Sequence, residues 1–361
     1  MSYNNIHNGY NKEKSINNGS HNSVLISEKT LKSCQQVKNF NYHQGASITS
    51  LDFNDSGQYL ISSGVDKSIQ LYDCFKGVHY KDIQSQKYGC HSARFTHEEL
   101  NCLYLSTLTD NNSGEDAIRY LSLSNNSYLR YFKGHKSQVS SLELNPIYNS
   151  FISSSFDGTV KIWDFKSANP VGNLEVGQNT IIAYDPQGII FAIGKYPIND
   201  ESLGVVEFYD LKSYDKEPFL KVEVQALPNQ IWNKLEFSNN GKYLLIGTNS
   251  YQHYILDAFT GKTIAIIKLP IYSKMYFKYP STGCCSFTPD SKYLLVGTSN
   301  SRIMIFDLNK LKEGQETIVI DKSDIILQST CGIPKILQFN PKLYSFATSD
   351  TTVTLWSPNN Q

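Results

Sequence analysis

The chain has 361 residues, 40% of them apolar and only 18% charged, enough to bury the core of one large all-β domain or two ordinary ones. Its 33 Lys and Arg balance 33 Asp and Glu, and a chain without net charge lacks the attraction that drives unspecific binding to duplex nucleic acid. Seven cysteines, with no C-x-x-C pair, point to a reduced intracellular protein, and no apolar run approaches the roughly 18 residues that a membrane span needs.

Residues 1 to 28 are dominated by Asn, Ser, Gly and Lys, with no continuous apolar stretch of the signal-peptide kind. Such a segment buries too little apolar surface to offset its ordering entropy, so disorder is expected there. From residue 29 to 361 the texture is constant and no linker interrupts it, which predicts one domain.

That domain is built on an internal repeat. An aromatic or aliphatic residue, a polar turn and an apolar pair recur at Phe53, Phe95, Leu144, Tyr184, Phe237, Phe287 and Phe339, spaced by 40 to 53 residues. The turns carry Asn-Pro, Asp-Pro, Asn-Gly or Pro-Asp, which close tight hairpins. A second signature follows each copy by about 20 residues: Leu71-Tyr72-Asp73, Tyr120-Leu121-Ser122, Ile162-Trp163-Asp164, Phe208-Tyr209-Asp210, Ile255-Leu256-Asp257, Ile305-Phe306-Asp307 and Leu355-Trp356-Ser357. Two signals in one phase, seven times over, predict a seven-bladed WD40-repeat β-propeller with four strands per blade. The last blade lacks an outer strand. The segment Ser33 to Phe40 is free to supply it, so the ring is expected to close by pairing the two ends of the domain.

The third unit is the most complete. Its spacing lets His135, Ser153, Asp157 and Trp163 join in one hydrogen-bonded chain, giving the buried indole N–H and the imidazole their partners. Asp66 and Asp350 occupy the same turn position in the first and last units; the other blades are expected to rely on packing. In this setting Ser, His and Asp brace a turn, and a catalytic triad is not inferred. Cys90, His91 and His97, with His79 upstream, fit no zinc spacing, and Cys284 beside Cys285 reads as two packed thiols. No phosphate-cradling glycine loop appears. The expectation is therefore no enzyme activity, no metal and no cofactor.

Several stretches carry a narrower likeness: SQKYGCHSARFTH (85–97), AIRYLSLSNNSYLRYFKGH (117–135), FYDLKSYDKEPF (208–219), LEFSNNGKYLLIGTN (235–249), LDAFTGK (256–262), SFTPDSKYLLVGT (286–298) and LQFNPK (337–342). From about residue 31 the chain resembles the WD-repeat subunit of the COMPASS histone methyltransferase, the Swd-two and WD-repeat protein eighty-two family. The second repeat, Arg119-Tyr120-Leu121-Ser122-Leu123, lacks the WD dipeptide in the manner of that family. The resemblance implies a nuclear, non-catalytic scaffold that holds the N-terminal region of a SET-domain methyltransferase and supports methylation of lysine four on histone H-three. In fungi it also implies membership of the cleavage and polyadenylation factor and of transcription termination. A link to the phosphorylated RNA polymerase II tail comes from animal members. The Asn-rich extension, the fourth-blade segment 195–204 and the segment 268–283 depart from the family pattern.

Partners are thus expected to be proteins, bound by a monomeric propeller in larger assemblies, with no membrane and no duplex nucleic acid. Arginine is scarce, and three of the four lie between residues 94 and 130. Lys87, Tyr88, Arg94, Arg119, Arg130, Lys133 and Lys136 are therefore expected to flank one docking surface. The rival reading is a WD-repeat substrate receptor of a cullin-type ubiquitin ligase. Lys166 and Lys212 stand where such receptors carry Arg after the dipeptide, which counts against it.

Overall fold

Each recurring signature marks the lower end of a strand. The computed structural model describes residues 25–107, 116–197, 203–270, 274–312, 314 and 316–359. Within them the chain winds into seven antiparallel sheets, whose first strands (a) surround a central channel and whose last (d) face outward. Blade 1 comprises Ile48–Phe53, Tyr59–Gly64, Ser68–Asp73 and Val78–Gln84; blade 2 comprises His91–Phe95, Asn101–Leu105, Asp116–Ser122 and Ser127–His135. Blades 3 and 4 run from Val139–Leu144 to Gly172–Glu175 and from Thr180–Tyr184 to Leu220–Gln225. Blades 5 and 6 run from Trp232–Phe237 to Thr263–Lys268 and from Cys285–Phe287 to Ile325–Gln328.

Blade 7 closes the ring. Its strands Ile336–Phe339, Phe346–Ser349 and Val353–Pro358 accept Cys34–Phe40 as the outermost strand, in the register Cys34 opposite Pro358 to Phe40 opposite Val353. The predicted closure is thus what the fold uses, and it leaves no blade with a missing strand. A short helix, Glu28–Lys32, precedes this strand; Ser27 caps it and Leu31 is fully buried against the last two blades. The boundary expected between residues 28 and 29 therefore falls inside this helix. Of the expected disordered segment, residues 1–24 lie outside the described residues.

The repeated side chains explain themselves. In the turn after strand a, Asn145 Oδ1 accepts from the N–H groups of Ile147 and Tyr148 at 3.0 Å each, and Asn340 Oδ1 accepts from Lys342 at 3.0 Å and Leu343 at 2.8 Å. A side-chain carbonyl thus replaces the backbone acceptor that a tight turn lacks. The aspartate ending strand c performs the same service for the next loop: Asp164 accepts from Lys166 N–H at 2.8 Å and Asp210 from Lys212 N–H at 2.7 Å.

Hydrophobic clusters fill each of the seven seams between neighbouring sheets among the described residues. The inner strand Ile48–Phe53 is buried on both faces, whereas the outer strands Val78–Gln84 and Leu220–Gln225 alternate. One feature exceeds four strands per blade. The loop between the third and fourth strands of blade 6 lends Ile318–Ile320 as a parallel fifth strand on the outside of blade 5, with Ile318 opposite Ala265 and Ile320 opposite Ile267. It covers an edge that would otherwise stay open.

Candidate interaction faces and the side chains that brace them

The upper face, where strands a begin, is held by hydrogen-bonded side chains between sheet and turn. In blade 3, His135 Nδ1 lies 3.0 Å from Asp157 Oδ2, His135 Nε2 lies 2.7 Å from Ser153 Oγ, and the Trp163 indole donates to the same Ser153 Oγ at 2.8 Å. The carboxylate also accepts from Lys136 N–H at 2.8 Å and from the Thr159 N–H and hydroxyl at 2.9 and 2.7 Å. Burial alone would push the Asp157 carboxyl up. The bonds from His135, Thr159 and Lys136 outweigh that and hold it well below the usual carboxylate range. His135, Ser153 and Trp163 are buried, so the Ser153 hydroxyl is turned away from solvent.

Blade 1 repeats the arrangement with one exchange. His43 Nδ1 meets Asp66 Oδ2 at 2.9 Å, its Nε2 meets Ser62 Oγ at 2.8 Å, and Tyr72 stands in the tryptophan position with its hydroxyl 3.3 Å from Ser62 Oγ. Gly64 is small for a reason: a Cβ there would lie 2.6 Å from His43 Nδ1. Asp350 of blade 7 pairs instead with Lys335 Nζ at 2.8 Å, while the Trp356 indole donates to Thr348 Oγ1 at 2.9 Å. The other blades use more than packing. Glu207 of blade 4 is clamped by Lys195 at 2.6 Å and Lys221 at 3.3 Å, and Gln230 of blade 5 donates to Thr248 at 3.1 Å and accepts from Tyr254 at 2.9 Å.

In blade 2, Tyr104 takes the serine position and Leu121 the tryptophan position. Here Arg119 lies flat on Tyr88, 3.7 Å from guanidinium carbon to ring centre, and donates to the Ala117 carbonyl at 2.9 Å and to Ser106 Oγ. Tyr88, Tyr128 and Tyr131 extend this stack, with centroid separations of 6.2 Å (Tyr88–Tyr128) and 5.2 Å (Tyr128–Tyr131), and the Tyr104 and Tyr128 hydroxyls meet at 2.8 Å.

The seven residues expected to flank one docking surface do not stay together. Lys87, Tyr88 and Lys136 lie in upper-face loops on either side of blade 2, and Arg130 and Lys133 lie on its outer strand Ser127–His135. Arg119 is on the same blade but buried, with its guanidinium committed. Arg94 is elsewhere. It points into the channel, 3.3 Å from Asp52 and paired also with Glu143, so one guanidinium serves two carboxylates and burial keeps both acids raised. Alternation along a strand cannot distinguish a side chain facing the channel from one facing solvent, so Arg94 had no separate signal.

The channel mouth on the upper face opens into a cavity of about 280 Å³ lined by Phe156, Tyr196, Trp232 and the segment Met275–Thr282. That segment is tied across the ring: Thr282 N–H donates to Thr49 O at 3.2 Å and Tyr279 stacks on His91 at 6.1 Å. The four residues weighed as a metal cluster are dispersed. His97 is held by Asp55 at 2.8 Å and Asn145 O at 2.9 Å, His79 by Gln70 at 2.7 Å, and His91 by Ser92 at 3.1 Å, while Cys90 lies against Ser68 O. All seven cysteines are free thiols. No helix among the described residues is long and apolar enough to cross a membrane.

Comparison with known proteins sharpens this picture. The family model "WD domain, G-beta repeat" matches residues 34–73, 126–164 and 280–307. The chain is 38% identical to COMPASS component SWD2 of Saccharomyces cerevisiae over 339 residues, covering 92% of this chain and 97% of that protein. It is 34% identical to WD repeat-containing protein 82 of Drosophila melanogaster, covering 87% and 91% respectively. It is 33% identical to Set1 complex component swd2 of Schizosaccharomyces pombe, covering 86% and 92%.

Proposed function

The chain belongs to the WD-repeat family that includes COMPASS component SWD2 and WD repeat-containing protein 82, and from this premise we propose that it is a non-catalytic scaffold subunit of a Set1/COMPASS histone methyltransferase. The observation that carries the reading is that relatives in two distant yeasts, matched over almost their whole length, bear the names of Set1 or COMPASS components. The protein works in the nucleus, where it holds the N-terminal region of a SET-domain subunit and supports methylation of lysine four on histone H-three. It is one propeller domain behind an N-terminal extension, monomeric within the assembly, and it needs no cofactor.

The non-catalytic part rests on how the polar side chains are spent. Ser153 Oγ is shared between His135 and the Trp163 indole in a buried site, and the imidazole's other nitrogen is held by Asp157. These groups stiffen the upper-face turns. A rigid ring of turns can then bind partner segments with little entropy lost on its own side. On this reading blade 2, with Lys87, Tyr88, Arg130, Lys133 and Lys136 around its upper face and outer strand, is one docking region. In a fungal setting the same chain also serves the cleavage and polyadenylation factor and transcription termination.

Depletion of the protein in its own cells tests the reading. Lysine-four di- and trimethylation on histone H-three is expected to fall, and termination downstream of polyadenylation sites to read through. Unchanged methylation on depletion would remove the COMPASS role, and unchanged termination would remove the second one.

A further inference from the structure

At the seam between blades 5 and 6, three side chains with no part in the docking faces meet in the core. His253 lies on Gln252–Asp257 of blade 5, and Cys284 and Cys285 lead into the inner strand of blade 6; all three are buried. Cys284 Sγ and Cys285 Sγ are 3.8 Å apart, Cys285 Sγ is 3.5 Å from His253 Nδ1, and the three donor atoms all lie within 4.8 Å of one another. A tetrahedral zinc ion, with Zn–S of about 2.3 Å and Zn–N of about 2.1 Å, sets S···S edges of about 3.8 Å and N···S edges of about 3.6 Å. We propose that His253, Cys284 and Cys285 form a structural site for a thiophilic divalent cation, zinc first, which staples blade 5 to blade 6.

Charge favours a divalent ion over a monovalent one. The nearest charged groups, Lys234 and Glu236, pair with each other at 3.2 Å, and Lys234 Nζ donates to the Cys285 carbonyl at 2.8 Å. With that pair neutral, two thiolates and a divalent cation leave no net charge in the core, whereas a monovalent ion leaves one buried charge uncompensated. Imidazole and thiolate are the ligand types that select zinc over magnesium or calcium.

The competing arrangement is a proton-filled core. In it His253 Nδ1 accepts from Thr248 N–H at 3.1 Å, and Nε2 is buried without a partner. Metal entry then releases two thiol protons, with His253 ligating through Nδ1, the nitrogen that faces Cys285 Sγ, in place of its bond from Thr248 N–H. The seam also has a use for a staple. It carries the long connection from Lys268 to Cys285, whose Met275–Thr282 part forms the wall of the channel mouth.

The test is the metal content of the full-length protein, expressed with zinc and dialysed against metal-free buffer. About one zinc per chain is expected in the wild type and in Cys90→Ser, with loss in Cys285→Ser and His253→Ala. Expression with cobalt in place of zinc gives a second reading on the wild type alone: thiolate-to-cobalt charge transfer with intense tetrahedral d–d bands. Folded wild-type protein without stoichiometric zinc and without cobalt bands would overturn the site, even if the variants failed to fold. Full zinc retention in folded Cys285→Ser would overturn it as well.

Discussion

Blades 3 and 2 face the same problem, an upper-face turn that must be anchored to a sheet, and solve it with different chemistry. Blade 3 runs a linear chain from carboxylate to imidazole to hydroxyl to indole, each bond 2.7 to 3.0 Å long and most of it out of water. Among the described residues of blade 2 there is no such chain; a guanidinium stacked on Tyr88 and a ladder of tyrosines take its place. The first device is closed, because every polar atom in it is spoken for. The second leaves aromatic edges and lysines at the surface beside the buried arginine. What braces blade 3 is therefore invisible to partners, while what braces blade 2 is also something a partner can touch.

The largest expected effect breaks the closed device. Trp163→Ala empties the space between Phe132, Phe151 and Phe165 and should cost about 3–5 kcal/mol in urea unfolding, with Trp163→Phe costing about 1–3 kcal/mol because it keeps one aromatic ring but loses the N–H donor and part of the indole's volume. Equal costs would mean that a phenyl ring recovers none of the packing and that the whole indole, with its bond to Ser153, holds the blade.

Next comes pH. Burial lowers His91 to about 3, against an ordinary value near 6.5. The unfolded chain then binds more protons than the folded one, so this contribution is fully present above pH ~6.5 and falls as pH drops towards ~4, by up to about 1.4 kcal/mol per pH unit. Asp157 adds a lower window. Its carboxyl is depressed, so its contribution is present above pH ~4 and lost as pH falls below that. The stability gap between wild type and Asp157→Asn should be flat from pH ~5 to ~8 and narrow only below ~4. A gap that closes near pH 6 instead would place the controlling titration on the histidine.

In blade 2, Arg119→Lys keeps the charge but loses the flat stack on Tyr88, at a cost of about 1–2 kcal/mol by thermal unfolding. A neutral result would mean that the tyrosine ladder holds the turn without the arginine. Smallest of all is Lys87→Glu with Lys133→Glu and Lys136→Glu, which should change stability by no more than about 0.5 kcal/mol.

Repetition made most of this architecture legible. A polar turn residue recurs because each hairpin needs a side-chain acceptor, and an aspartate recurs because each following loop needs another. The blade 3 tetrad was legible because Gly134-His135 and Trp163-Asp164 frame it. His43 carries no such frame, because Tyr42 precedes it and Tyr72 replaces the tryptophan, although Asp66 holds the turn position. The fifth strand Ile318–Ile320 is three residues long and pairs across blades, so no local pattern announces it. Arg94 and Arg119 stand among the docking candidates because sequence spacing does not reveal which side of a blade faces the channel or the neighbouring sheet. His253 and the cysteine pair lie on different blades and match no familiar ligand spacing.

The proposed role is that of a rigid propeller that brings partners to a Set1/COMPASS assembly by way of surfaces such as that of blade 2. It is tested most directly by purifying the tagged protein from its own cells, wild type beside the Lys87→Glu, Lys133→Glu and Lys136→Glu triple variant, and identifying what copurifies by mass spectrometry. The wild type should recover a SET-domain methyltransferase with its companion subunits, and the equally stable variant should recover markedly less. Recovery of a cullin adaptor with no methyltransferase subunits would contradict the account, and equal recovery by both proteins would remove blade 2 from it.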